Sequence, residues 1–154
     1  MSEASASSLH ANALVVGEAG LLIRGPSGSG KSALTLALLE AARGRGLYSA
    51  LVADDRARLC ATHGRIVARP VPGFEGLIER RGQGIVRVRS EPAAIIALIA
   101  DLAPRELPLP RFPDRGEEPA ELLAVRLRRL DLDLSWGLAA CVQATLSKLG
   151  FDSP

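Results

Sequence analysis

The 154 residues suit a single domain, because 47% of them are hydrophobic and a chain of this length can bury a substantial core. A net charge of +2 and five aromatic residues give little support to nucleic-acid binding. No apolar run is long enough to span a bilayer, and residues 1–8 lack the apolar segment of a signal peptide. The composition predicts a soluble, cytoplasmic protein with a disordered tail over residues 1–8 and one domain over residues 9–150.

The two cysteines, Cys60 and Cys141, lie in different segments and have no CxxC spacing. Buried, small hydrophobic residues are the simplest interpretation of both. We therefore expect neither a disulfide nor a zinc site.

The first elements predict a phosphate-binding loop in its required context. Residues 13–16 and 20–23 read as apolar strands, and residues 33–43 read as a helix. The segment between them has glycines for a tight turn, a lysine for the β- and γ-phosphates and a hydroxyl for Mg²⁺. We predict that a nucleoside triphosphate is bound by Gly25, Pro26, Ser27, Gly28, Ser29, Gly30, Lys31, Ser32 and Ala33, with Ser32 as a Mg²⁺ ligand.

A pair of acids follows the next strand, which is predicted over residues 49–53. Lys31 and Asp54 are 23 positions apart, enough for one helix, a turn and a strand. Carboxylates at the C-terminal end of such a strand lie where open α/β sheets bind ligands. The residues alone leave open that Asp54 and Asp55 only cap the strand.

The segments after Asp55 predict secondary structure but no particular chemistry. Residues 57–60 and 65–68 predict a hairpin, and residues 77–88 predict a loop with strand character at its end. The remaining predictions are a strand over residues 95–102, an irregular segment over 104–119, a strand over 122–130 and a helix over 136–149.

Four features together resemble the catalytic domain of HPr kinase/phosphorylase: His10, the P-loop, residues 51–56 and residues 79–85. The resemblance covers about residues 9 to 90 and is to the short, alphaproteobacterial type of this domain. It implies an α/β P-loop kinase fold, related to phosphoenolpyruvate carboxykinase, with a mixed sheet and flanking helices. It also implies ATP and Mg²⁺ as cofactors.

The resemblance further implies roles for individual residues. Asp55 would be the general base, supported by Asp54, and Lys31 would act on the phosphates. Glu79 would be the second Mg²⁺ ligand, and Arg81 would belong to the catalytic loop. His10 matches the family's histidine ahead of the P-loop, although a lone histidine near a terminus is also an ordinary surface residue.

The implied partner is an HPr-like phosphocarrier protein of a phosphotransferase system, modified on a serine by a homo-oligomer, a hexamer in the family. Neither a nucleic acid nor a membrane is an expected partner. The Pro-Val-Arg-Pro-Gly-Arg-Asn stretch associated with phosphorolysis is missing. The sequence therefore supports the kinase direction better than the reverse phosphorylase direction.

Two alternatives remain open from the sequence. A small-molecule or nucleotide kinase would use the same P-loop, and residues 111–115 would be the only candidate for its arginine-bearing lid. A non-catalytic ATP sensor would bind nucleotide to change its affinity for a partner.

Overall fold

The computed structural model describes residues 5–104 and 118–151. Helix α1 spans Lys31–Gly44 and helix α2 spans Leu138–Lys148, with a short 3-10 helix at Leu134–Trp136. The strands are β1 (Ser5–Leu9), β2 (Ala11–Val16), β3 (Ala19–Arg24), β4 (Ser49–Ala53), β5 (Ala57–Thr62), β6 (Arg65–Pro70), β7 (Leu77–Arg80), β8 (Gly84–Arg87), β9 (Ala94–Leu102), β10 (Ala120–Leu122) and β11 (Val125–Leu132).

One large mixed sheet organises the fold, in the order β1-β5-β6-β9-β3-β2-β4. Strand β9 runs parallel to β3 and to β11, and β10 pairs with β11 at the margin. Strand β2 lies antiparallel between β3 and β4, so β3 and β4 end at the same edge of the sheet. Strands β7 and β8 form a separate hairpin.

The two helices pack together on one face of the sheet. Apolar side chains of β2, β3, β9 and β11 meet those of α1 and α2 there, including the fully buried Leu38 and Leu146. Strands β4, β5 and β6 contribute to a second core, where Val52, Leu59 and Ile66 are buried. Among the residues described, no helix is long and apolar enough to cross a membrane.

Two expectations differ from the observed strands. Residues 5–8 are not a disordered tail, because Ser5–Leu9 pairs along its length with β5 and satisfies the backbone groups of that strand's open edge. The strand expected over residues 122–130 forms as β11, but it begins only at Val125 and is preceded by the short strand β10, with which it makes a hairpin. Leu123 and Ala124 have φ of 49° and 63°, which turns the chain between β10 and β11.

Other expectations agree with the described part of the chain. The hairpin after Asp55 is β5 and β6, and the apolar segment after Pro92 is strand β9 rather than a helix. The expected helix over residues 136–149 forms as α2 after the short 3-10 helix. Most of the irregular segment, including residues 111–115, lies outside the described residues.

Substitution of Gly20 tests the β3–β9 pairing, because a Cβ atom at this position would collide with the carbonyl oxygen of Ile95. We expect Gly20→Ala to lower the free energy of unfolding by about 1–3 kcal/mol. Gly44 ends α1 with no heavy atom within 4 Å of a Cβ atom built there, so Gly44→Ala is the control. It should change stability by less than about 1 kcal/mol. Urea unfolding followed by circular dichroism measures both, and equal effects would contradict the register between β3 and β9.

Candidate active site

The P-loop connects the end of β3 to the start of α1. Gly28 and Gly30 have φ of 79° and 102°, a backbone region that glycine enters without steric cost. The turn is closed by Ser29 N, which donates to Pro26 O at 3.0 Å. Leu134 packs directly over Gly30, so a side chain at position 30 would collide with it. The loop therefore has the shape that a phosphate-binding loop needs.

An ion pair fixes the strand end from which the loop departs. Arg24 Nε and Nη2 donate to the two carboxylate oxygens of Asp101 at 2.7 and 2.8 Å. This hydrogen bonding is the main reason why the pKa of Arg24 is raised above its ordinary value. A bidentate pair gives geometric specificity as well as energy. The ends of β3 and β9 are thus held together immediately before Gly25.

Lys31 is folded back onto the loop. Its ammonium donates to Gly25 O at 3.0 Å and to Pro26 O at 3.2 Å, and the residue is only 6% exposed. Burial lowers the pKa of Lys31, and the negative charges of Asp55 and Asp54 oppose that shift. An ammonium group makes stronger, charge-assisted hydrogen bonds to phosphate oxygens than to carbonyl oxygens, so this arrangement is compatible with a phosphate ligand.

Ser32 and Asp54 meet where α1 begins and β4 ends. Ser32 Oγ donates to Asp54 Oδ1 at 2.6 Å, and the backbone N–H of Glu79 donates to Asp54 Oδ2 at 3.2 Å. The second contact joins the β7–β8 hairpin to the end of β4. Asp54 therefore connects the P-loop helix to the hairpin.

Asp55 points away from this cluster and is open to solvent. Its φ is 67°, and its side chain is 73% exposed. His10 Nε2 lies 2.5 Å from Asp55 Oδ1, although the two residues are 45 positions apart. The structure thus brings His10 to the acid pair, which sequence spacing could not establish.

Asn12 was not predicted as a site residue, although it joins this cluster. It lies fully buried in β2 and faces α1, with hydrogen bonds to Thr35, Asp54 and the backbone N–H of Asp55. The sequence signal that could have identified Asn12 is its position in the strand. Residues 12, 14 and 16 of a strand lie on the same face, and Leu14 and Val16 are in the helix-side core, so a polar residue at position 12 is unexpected there.

A cavity of about 400 Å³ lies over these elements, within the volume range of ligand pockets. It brings together most of the predicted binding residues with Asp55, Glu79 and Arg81. Its lining residues are Ser27, Gly28, Gly30, Lys31, Ser32, Ala33, Leu36, Asp55, Glu79, Arg81 and Leu134. Leu36 and Leu134 supply apolar surface that the sequence did not indicate.

Some predicted residues lie behind the cavity rather than in its lining. Asp54 and His10 contact the lining residues Ser32 and Asp55, and Gly25 and Pro26 hold Lys31 through their carbonyl oxygens. The buried Ser29 hydroxyl has no hydrogen-bond partner among the described residues. Asp54, His10, Gly25 and Pro26 therefore hold the lining residues in place without bordering the cavity themselves.

The oxygen donors present fit Mg²⁺, which prefers hard oxygen ligands and usually keeps several from water and phosphate. Ser32 and Glu79 both border the cavity, and Asp54 lies behind Ser32. Over residues 5–104 and 118–151, no group of three or more His, Cys, Asp or Glu side chains converges to hold a metal ion. Ser32 and Glu79 would therefore need phosphate oxygens to complete a site.

A family model for the HPr Serine kinase C-terminal domain matches residues 2–92, which is more than half of the chain. The chain belongs to this family. The matched region of this HPr serine kinase domain contains the P-loop, the acid pair and the β7–β8 hairpin.

A solved structure agrees with that assignment. The structure of the Hpr(Ser) kinase/phosphatase from Coxiella burnetii is similar over 94% of this chain and 95% of that chain, with 25% sequence identity and a TM-score of 0.73. The predicted fold class, an α/β P-loop kinase fold of the HPr kinase type with a mixed sheet and flanking helices, is confirmed. No curated protein matches the chain.

The two lysines of the chain permit a matched test of the P-loop. We expect Lys31→Met to weaken ATP binding by roughly 100-fold, because a desolvated charge-assisted contact to phosphate is lost. Lys148→Met, in the last turn of α2, should leave the affinity within about twofold, as expected of a charge outside the binding cavity. Isothermal titration calorimetry with ATP measures both, and equal affinities for the two variants would exclude this cavity as the nucleotide site.

Proposed function

We propose that the chain is an ATP- and Mg²⁺-dependent protein-serine kinase whose acceptor is an HPr-like phosphocarrier protein. One observation carries the proposal: Lys31, Ser32, Asp55, Glu79 and Arg81 border a single cavity. They include a phosphate-binding cation, a candidate base and candidate metal ligands. Membership of the HPr serine kinase family supports the choice of acceptor.

The P-loop is assigned to ATP binding. The backbone N–H groups of residues 27, 28 and 30–32 and the dipole of α1 would bind the phosphates, and Lys31 would exchange its carbonyl partners for phosphate oxygens. Ser32 and Glu79 would hold Mg²⁺, which neutralises charge on the phosphates as transfer proceeds. Positioning and electrostatics supply most of the acceleration of such reactions.

Asp55 is assigned the role of the general base that takes the proton of the acceptor serine. The serine Oγ would attack the γ-phosphorus, the bond to the β,γ-bridging oxygen would break, and ADP would leave. The seryl proton would pass to the Asp55 carboxylate, which is open to an incoming protein and held on its other side by His10. Arg81, on the exposed turn of the β7–β8 hairpin, would stabilise charge on the transferred group.

The location and direction of the reaction are part of the same proposal. We assign the protein to the cytoplasm, where an HPr-like carrier would be found, and to the kinase direction. The absence from the sequence of the stretch associated with phosphorolysis supports that direction. The assembly of this chain into a homo-oligomer also stays a prediction.

The test is transfer from γ-labelled ATP to a purified HPr-like carrier with Mg²⁺. We expect Asp55→Asn to lower kcat by about 10²–10⁴-fold, because a general base is lost. Asparagine tolerates a positive φ, so the backbone at residue 55 should be kept. Glu18→Gln, which neutralises an exposed acid in the β2–β3 turn, is the matched control and should keep the wild-type rate.

The labelled residue must be a serine of the carrier, identified by mass spectrometry and lost when that serine is replaced by alanine. A wild-type rate for Asp55→Asn would remove Asp55 from the role of base. Tight ATP binding by the wild-type protein without transfer would favour the ATP sensor instead.

A further inference from the structure

Asn12 has an exposed fraction of 0% and lies at the point where β2 passes between β3 and β4. Its Nδ2 donates to Thr35 Oγ1 at 3.0 Å and to Asp54 Oδ1 at 2.9 Å, and lies 3.4 Å from Ser32 Oγ. Its Oδ1 accepts from the backbone N–H of Asp55 at 2.7 Å. One side chain therefore contacts the P-loop helix and both acids.

The partners fix the orientation of the amide. Thr35 Oγ1 donates its own proton to Lys31 O at 2.7 Å, so towards Asn12 it acts as an acceptor. The Asp55 N–H can only donate. Position 12 therefore requires a donor on one side and an acceptor on the other, and a buried group that lost either partner would be costly.

The same contacts separate the two acids. Asp54 Oδ1 accepts from Ser32 and Asn12, and Asp54 Oδ2 accepts from the N–H of Glu79. Asp55 is held through its backbone, in a left-handed conformation that aspartate enters less readily than glycine. Its carboxylate is left exposed towards the cavity and His10.

We infer that Asn12 is a positioning residue that gives the two acids different roles. It directs the Asp54 carboxylate to the Ser32 hydroxyl and turns the Asp55 carboxylate out towards the acceptor. This inference rests on the proposed function. The hydrogen bonds of Asn12 leave the P-loop amides and the Lys31 ammonium to the phosphates. Loss of Asn12 therefore lowers kcat and leaves ATP binding without metal nearly unchanged.

The experiment compares Asn12→Asp, Asn12→Ala and Ser49→Ala with the wild-type protein. Asn12→Asp keeps the acceptor for the Asp55 N–H and loses the donor to Thr35 and Asp54, whereas Asn12→Ala loses both the acceptor and the donor. Ser49→Ala is the matched control, because it removes a buried hydrogen bond of 3.2 Å from β4 to Leu39 O in α1, outside the acid cluster. The readouts are kcat and KM for ATP, the Kd for ATP in EDTA, the melting temperature, and hydrogen exchange of the peptide that contains residue 55.

We expect both Asn12 variants to lose about 100-fold or more in kcat, as for a misplaced reacting group, with metal-free Kd values within about threefold of wild type. The residue 55 amide should exchange faster in Asn12→Ala and at the wild-type rate in Asn12→Asp. Ser49→Ala should lose stability without this loss of kcat.

Three results would overturn the inference: wild-type kcat in either Asn12 variant, an equal loss in kcat and in metal-free ATP binding, or failure of both Asn12 variants to melt cooperatively while Ser49→Ala does. Failure of the proposed function is a separate result. The wild-type protein would then bind ATP and transfer nothing, while the exchange pattern at residue 55 would still test the positioning by Asn12.

Discussion

The position of β2 between the P-loop strand and the acid-bearing strand is the constraint on which the site depends. Because β2 runs antiparallel to both β3 and β4, its first residues lie at the edge where those two strands end. Ala11 pairs with Arg24, and Ala13 pairs with Ala53. The start of β2 therefore lies beside the P-loop on one side and beside the acid pair on the other, and His10 and Asn12 reach both acids from there.

The local features of this arrangement could be predicted from the sequence. A P-loop needs a strand before it and a helix after it, and a chain that forms both leaves few choices for residues 20–44. The 23 positions between Lys31 and Asp54 then require a return to the same sheet edge, and Ser32 and Asp54 do meet at 2.6 Å. Residues 77–88 were expected to form a loop with strand character at its end, and the β7–β8 hairpin that they form brings Glu79 and Arg81 to the cavity.

The features that could not be predicted depend on contacts between distant segments. Strand β1 forms because β5 offers an open edge, which nothing in the small, polar residues 5–8 indicates. The pairing of His10 with Asp55 needs the register of β2 with β4, and the role of Asn12 needs the direction in which its side chain points. Leu123 and Ala124 turn the chain although neither is a typical turn residue, so pairing of the adjacent strands overrides local preference there.

The exposure of Asp55 bears on the class of acceptor. A carboxylate that is 73% exposed is strongly hydrated, and phosphoryl transfer to an alcohol rather than to water requires that hydration to be displaced. With a small acceptor, residues of the enzyme itself would have to cover the Asp55 carboxylate and displace its water. A folded protein brings enough surface to cover the Asp55 carboxylate and the exposed β7–β8 turn at once, because protein interfaces bury about 800 Å² on each partner. In the proposed reaction, where Asp55 takes the proton of the acceptor, the open geometry around this residue therefore favours a macromolecular acceptor, whose docking would complete the exclusion of water.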